Sequence, residues 1–249
     1  MKYTKLIIIA AAVALASVSP AELISFQQGD LRVDGVLVDS SYVMQSVTLR
    51  GGEQADTVVN GAVDWIGDHT SNNPMRGLYS FDLSYIETLA AGRPYIINSV
   101  QLKLTVANAN TSNYGPNAQF RASLSLPFDE TTATYNNPGP GHAAGGTVGA
   151  NLGNLNVTAG MVSTVDTVMT FGSTVPFVNA VSNVLASADS STINIIVKKT
   201  EETAKIHGYF RPGANDAANV ERRPELLVDI TVIPDPRKVS LIIFSGVND

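Results

Sequence analysis

Apolar and polar positions alternate along much of the chain. Val100, Leu102, Leu104 and Val106 face one way, and Gln101, Lys103 and Thr105 face the other. Phe120, Ala122, Leu124 and Leu126 alternate with Arg121, Ser123 and Ser125; Gly77, Tyr79, Phe81 and Leu83 alternate with Leu78, Ser80 and Asp82. Ile193, Ile195 and Val197 repeat the pattern, as do Leu226, Val228, Ile230 and Val232. A period of two marks half-buried β-strand, and a one-residue slip would turn each apolar set to solvent, so register is well specified. Weaker strands are expected at Leu31–Val38, Val43–Leu49, Thr57–Asn60 and Val165–Phe171. One segment changes period. Within Thr174–Ala188, Phe177, Val181, Val184 and Leu185 fall at helical spacing, with Thr174 as N-cap and Pro176 in the first turn. The pattern predicts an all-β antiparallel β-sandwich with one short helix packed over one end. Asn136–Gly160, rich in Gly and Asn, reads as a long surface loop with marginal strands.

Composition adds a compartment and removes several function classes. Hydrophobic residues make up 44% of the 249 residues, enough for a sizeable core. Charged residues are 15%, against about 25% in an ordinary domain. Lys2 and Lys5 precede Leu6–Ala16, an apolar run of 11 residues that is too short to span a bilayer. Residues 1–21 therefore read as a secretory signal, with cleavage after Ala16 or, preferably, Ala21; the alternative is an uncleaved anchor. Once processed, no integral membrane protein is expected. There are no cysteines, which excludes disulfides and thiol chemistry. Loss of Lys2 and Lys5 moves the formal net charge from −6 to −8. Adjacent cations occur only as Lys198–Lys199, Arg222–Arg223 and Arg237–Lys238, so no nucleic-acid partner is expected. The chain divides into the signal, N-terminal strands or an extension over 22–49, a β-sandwich over 50–232, and a tail or extra strand over 233–249.

Several segments, taken in order, carry a family resemblance. They are Ala55–Val59 (ADTVV), Arg76–Ile86 (RGLYSFDLSYI), Ile97–Val106 (INSVQLKLTV), Phe128–Pro138 (FDETTATYNNP), the helix-and-strand stretch Val178–Val197, and Arg223–Ile230 (RPELLVDI). Together they cover roughly residues 50–232, and they resemble the DNRLRE domain family of exported, carbohydrate-binding-type β-sandwiches. Phe128 and Tyr135 stand where that family has Trp. The resemblance implies a jelly-roll type of sandwich, an extracellular or cell-surface place, and in some members binding of acidic polysaccharide such as alginate; it does not imply catalysis. Ile233–Pro236 (IPDP) followed by Val239–Val247 is similar to a PEP-CTERM sorting signal, with Asp235 in place of Glu, an apolar run of nine residues and no terminal Arg cluster. A plainer reading makes VSLIIFSGV a strand that pairs with a neighbouring subunit's sheet edge, lies on an edge of its own sheet, or remains a tail.

Candidate chemistry is sparse. Asp64–Asn73 (DWIGDHTSNN) is oxygen-rich, with Asp64, Asp68, Asn72 and Asn73, and Gly213–Glu221 offers Asn215, Asp216 and Glu221. Calcium takes six to eight oxygens from such loops, so Asp64 and Asp68 are the candidate metal ligands for a structural calcium; the alternative is Asx side chains capping their own turns. Trp65, the single Trp, would stack on a sugar if exposed and plug the sandwich if buried. Tyr114, Tyr135 and Tyr209 are further stacking candidates. Arg76, Arg222 and Arg223 suit an acidic polysaccharide, or else pair with Asp82, Asp216 or Glu225. Trp65, Tyr135 and Arg76 form the candidate ligand set. His69, His142 and His207 lack metal-type spacing. Glu201–Glu202 reads as a solvated hairpin turn between Ile193–Lys199 and Lys205–Phe210, and Asp129–Glu130 as adjacent strand residues on opposite faces. With no G-x-S-x-G, H-E-x-x-H or Gly-rich phosphate loop, no enzyme is expected. The expectation is an exported, non-catalytic polysaccharide-binding module. The alternative is a structural subunit of a surface layer or filament, joined to other copies by its terminal strands.

Overall fold

Among the described residues, thirteen strands form two antiparallel sheets. The computed structural model describes residues 20–68, 73–109, 118–202 and 208–234. Leu6–Ala16, His69, Asn72, Tyr114, Lys205, His207 and Val239–Val247 lie outside the described residues. The strands are β1 (Glu22–Gln27), β2 (Leu31–Val33), β3 (Val36–Asp39), β4 (Met44–Arg50), β5 (Ile66–Asp68), β6 (Pro74–Asp82), β7 (Tyr95–Thr105), β8 (Ala118–Leu124), β9 (Asn151–Val157), β10 (Val168–Phe171), β11 (Thr192–Lys199), β12 (Gly208–Phe210) and β13 (Glu225–Val232). One sheet runs β10-β7-β13-β1-β2-β3. The other runs β12-β5-β6-β11-β8-β9, with β4 also on β6. The chain passes repeatedly between the sheets, so the all-β antiparallel sandwich is as expected. Inward residues of both, among them Phe26, Tyr79, Phe81, Phe120, Phe171 and Phe210, are fully buried in one core.

Residues 22–50 are strands of these same two sheets. β1 lies between β13 and β2, paired from Glu22↔Ile230 to Gln27↔Glu225. The expected single strand Leu31–Val38 is two strands, β2 and β3, joined at Asp34–Gly35. Both residues have positive φ, 49° and 80°, the backbone of a two-residue primed turn. Thr57–Asn60 contributes only a bridge, Val59 to Thr48.

The expected helix is α3 (Val175–Ala186), entered as anticipated: the Phe177 amide donates to Thr174 Oγ1 at 3.2 Å. Phe177, Ala180 and Val181 are buried, and the helix packs on β7, β9 and β11. It is not alone. α1 (Ser84–Ala90) starts where the Ser84 amide donates to Asp82 Oδ1, and it buries Ile86 and Ala90. α2 (Ala159–Val162) is one turn capped by Thr158. Neither is long enough to display a 3.6-residue period. β9 is a strand within Asn136–Gly160, the stretch expected to be a surface loop with marginal strands. The expected β11–β12 hairpin is absent, because β11 lies between β6 and β8 while β12 pairs with β5.

Sheet two is covered on both faces. Val47, Leu49, Leu78 and Ile196 point away from the main core yet are fully buried. Phe128 and Ala133 close over them, with Tyr135 and Val148 at the margin. The polar excursion Pro127–Pro140 is thus a third layer whose few apolar residues do the covering. Asp129 and Glu130 lie in a turn rather than a strand. Asp129 Oδ1 accepts from the Thr131 amide and hydroxyl, and Glu130 Oε2 accepts from the Ser46 amide at 3.0 Å. No helix among the described residues is long and apolar enough to cross a membrane.

Candidate functional site

One end of the second sheet collects aromatic and cationic side chains. β12 approaches β5 so closely at Gly67, which pairs with Tyr209, that a Cβ there would sit 2.1 Å from the Gly208 carbonyl oxygen and 2.6 Å from Tyr209 Cα. Its φ of 132° is also a glycine conformation. The close approach brings Tyr209 onto Trp65, ring centroids 5.4 Å apart and 26° from parallel. Arg211, two residues on from Tyr209 along an extended backbone, lies 5.2 Å from the Trp65 ring and 6.0 Å from the Tyr209 ring. Arg50, the last residue of β4, stands 5.7 Å from Trp65. A guanidinium at this distance from an indole is attracted by the ring quadrupole.

The backbone beneath Trp65 is locked by a buried hydroxyl. Thr48 Oγ1 accepts from the Trp65 amide at 2.8 Å and donates to Asp64 Oδ1 at 3.2 Å, while the Asp64 amide donates to the Pro212 carbonyl. Asp64 is 2% exposed, and burial pushes its carboxyl up to about 7. The hydrogen bond from Thr48 and the neighbouring Ser46 and Tyr79 hydroxyls oppose that rise, and the charge of Asp216 adds to it.

Of the candidate ligand set, Arg76 and Tyr135 are brought together, whereas Trp65 has other neighbours. Trp65 is half-buried, with Tyr209, Arg50 and Arg211 already around its ring. Tyr135 lies under Arg76 at 5.7 Å, in the third layer. Arg76 makes a two-pronged pair with Glu202 at 2.8 and 2.6 Å and donates to the Gly145 carbonyl. Lys198 reaches the same carboxylate at 2.8 Å. Glu202 is therefore no solvated turn residue: its side chain is 14% exposed. Burial alone would raise Glu202, but Arg76 and Lys198 outweigh it and hold it below its usual value. The other arginine pairings also differ from expectation. Arg222 takes Asp166, and Arg223 takes the Ala217 and Gln28 carbonyls. Asp82 instead serves Ser84 and Ser191, and Glu225 serves Ser25 and Lys103.

The two candidate metal ligands also face different neighbours. Asp64 lies against Thr48, Ser46 and Tyr79, whereas Asp68, 1% exposed, lies near Lys199. No group of three or more His, Asp or Glu side chains among the described residues is placed to hold a metal. In the second oxygen-rich loop, Asn215 is buried and bonds Ser46, Met44 and Glu130, while Asn219 caps its own turn at Glu221. His142 is a loop clasp: Nδ1 accepts from the Thr147 amide at 3.0 Å, and Nε2 faces the Leu126 and Pro127 carbonyls.

Arg50 and Arg211 were not singled out from sequence. Arg211 carried a usable signal, since in Tyr209-Phe210-Arg211 the first and third residues share a strand face. Arg50 carried none, because its partner ring is 15 residues away, just before a different strand. Neither arginine has a carboxylate partner among the described residues. A second opening, a cleft of about 290 Å³ lined by Gln45, Ser80, Asp82, Phe128 and Asn194 among others, is polar but has no cation in its wall. No protein-family model matches the chain, and comparison with curated proteins finds no similar one.

Proposed function

We propose that the protein is an exported, non-catalytic module that binds an acidic extracellular polysaccharide through Arg50 and Arg211, held against Trp65. The observation that carries this reading is the pair of guanidiniums fixed on one indole, without carboxylate partners among the described residues, in a chain of net charge −6. Arg76, Arg222 and Arg32 each hold a carboxylate, and Arg93 and Arg223 hold backbone carbonyls; Arg211 itself gives one N–H to the Ala109 carbonyl. A planar guanidinium oriented by a ring presents its remaining N–H groups for two-pronged recognition of a carboxylate or sulfate. With Trp65 ringed by Tyr209 and the arginines, the site recognises the anionic groups of a sugar chain rather than stacking on a bare pyranose face. The resemblance to exported carbohydrate-binding sandwiches points the same way.

Affinity electrophoresis in gels containing alginate, pectate or heparin tests this. Retardation by one of these, abolished in Arg50→Ala/Arg211→Ala at unchanged melting temperature and weakened by salt, is the expected result. Unretarded migration of the wild type in every acidic gel would overturn the proposal.

A further inference from the structure

The β2–β3 hairpin projects from the first sheet with its outer strand bare. Val36, Leu37 and Val38 are 66%, 50% and 42% exposed, so β3 shows apolar side chains on both faces. β3 ends the sheet order, and its ladder runs to β2 only. Among the described residues, no side chain or loop bonds the outward backbone groups of Val36–Val38. An open apolar edge, even a short one, is a template for another strand.

We propose that this edge receives the segment Val239–Val247 from a second copy of the chain. Three observations select that occupant. The segment, VSLIIFSGV, places Leu241 and Ile243 on one face and Ile242 and Phe244 on the other, the two-faced apolar pattern that a strand beside β3 needs. Arg237 and Lys238 precede it, while Asp34 and Asp39 bracket β3, so the charges are complementary. Reach excludes the chain's own edge for the whole segment. The described chain leaves β13 at Pro234, with β1, β2 and β3 between it and the vacant position. Strand spacing makes that about 19 Å across, and Pro234 lies a further stretch of about 20 Å along the sheet from the level of Val36. The chain from Pro234 to Val239 extends at most about 17 Å. A second copy has no such limit, and because donor and acceptor are different surfaces, the contact repeats into a chain of subunits. The proposal does not depend on polysaccharide binding.

Full chains with one half of the contact disabled provide the test. Leu37→Lys disables the acceptor, with Val38→Lys as a second variant of the same edge; Ile243→Asp disables the donor. Sedimentation velocity of the wild type should show assemblies that grow with concentration. Each variant alone should associate at least about tenfold more weakly at unchanged melting temperature, and an equal mixture of Leu37→Lys and Ile243→Asp should form a capped dimer. A wild type that stays monomeric at high concentration, assembly untouched by either β3 variant, or a mixture that remains monomeric would each overturn the proposal.

Discussion

β4 and β3 are both sheet edges, and the protein treats them in opposite ways. Three outward amides of β4 find acceptors: Met44 donates to Gln28 Oε1 at 2.7 Å, Ser46 to Glu130 Oε2 at 3.0 Å, and Thr48 to the Val59 carbonyl at 3.2 Å. Asn215 then ties the Met44 carbonyl, the Ser46 hydroxyl and Glu130 together. The outer face beside this edge lies under Phe128 and Ala133. Among the described residues β3 has neither a side-chain cap nor a cover, and it shows three consecutive apolar residues. An edge closed by polar side chains cannot add a strand without losing bonds it already has, whereas an open one gains them. The fold thus uses the excursion after Pro127, together with Gln28, Val59 and Asn215, to close one flank, and leaves the other exposed.

The largest expected effect comes from uncovering the closed flank. Phe128→Ala leaves Val47, Leu49, Leu78 and Ile196 without their lid, and should cost about 3–5 kcal/mol in urea unfolding. Glu130→Ala leaves the Ser46 amide and the Asn215 side chain without their acceptor and should cost about 1–3 kcal/mol. A loss no larger than for an exposed residue would show that water replaces the cap.

Asp64, bonded to Thr48 of β4, sharpens the same flank through pH. Its folded-state value of about 7 lies above the ordinary 3.8. Between those values the folded protein keeps a proton that the unfolded chain has released, so stability falls as pH rises through the window and levels off above it. Asp64→Asn should remove that fall, making wild type lose about 2–3 kcal/mol more than the variant between pH 5 and pH 8. The smallest effect belongs to the open edge: Leu37→Lys should change stability by no more than about 0.5 kcal/mol, because no packing depends on it. A large loss there would mean that β3 is covered after all.

The sandwich was legible because its signal is local. Strands β6, β7, β8, β11 and β13 announce themselves through residues two apart, and Thr174 with Pro176 announces α3. Signals that need a long window failed in short elements: α1 has seven residues and α2 four. Leu78 was assigned to a polar face because Ser80 and Asp82 flank it, but Phe128, 50 residues later, folds over it. Glu202 looked solvated because a Glu-Glu pair after a strand usually is; Arg76, 126 residues away, makes it a buried anchor. Trp65 and Tyr209 were visible as candidates, yet their stacking depends on Gly67 letting β12 close on β5, and of the arginines that complete the cluster one, Arg50, comes from a separate strand.

By itself the amino-acid sequence determined the fold class, the register of the main strands and the entry to α3, because period-two alternation and helix capping act between near neighbours. Only the tertiary structure decided which edges are closed, which acids are buried and which arginines remain unpaired by carboxylates among the described residues. Those outcomes depend on side chains from different elements meeting, up to 126 residues apart for Arg76 and Glu202, where a loop's route, rather than its composition, sets the partner.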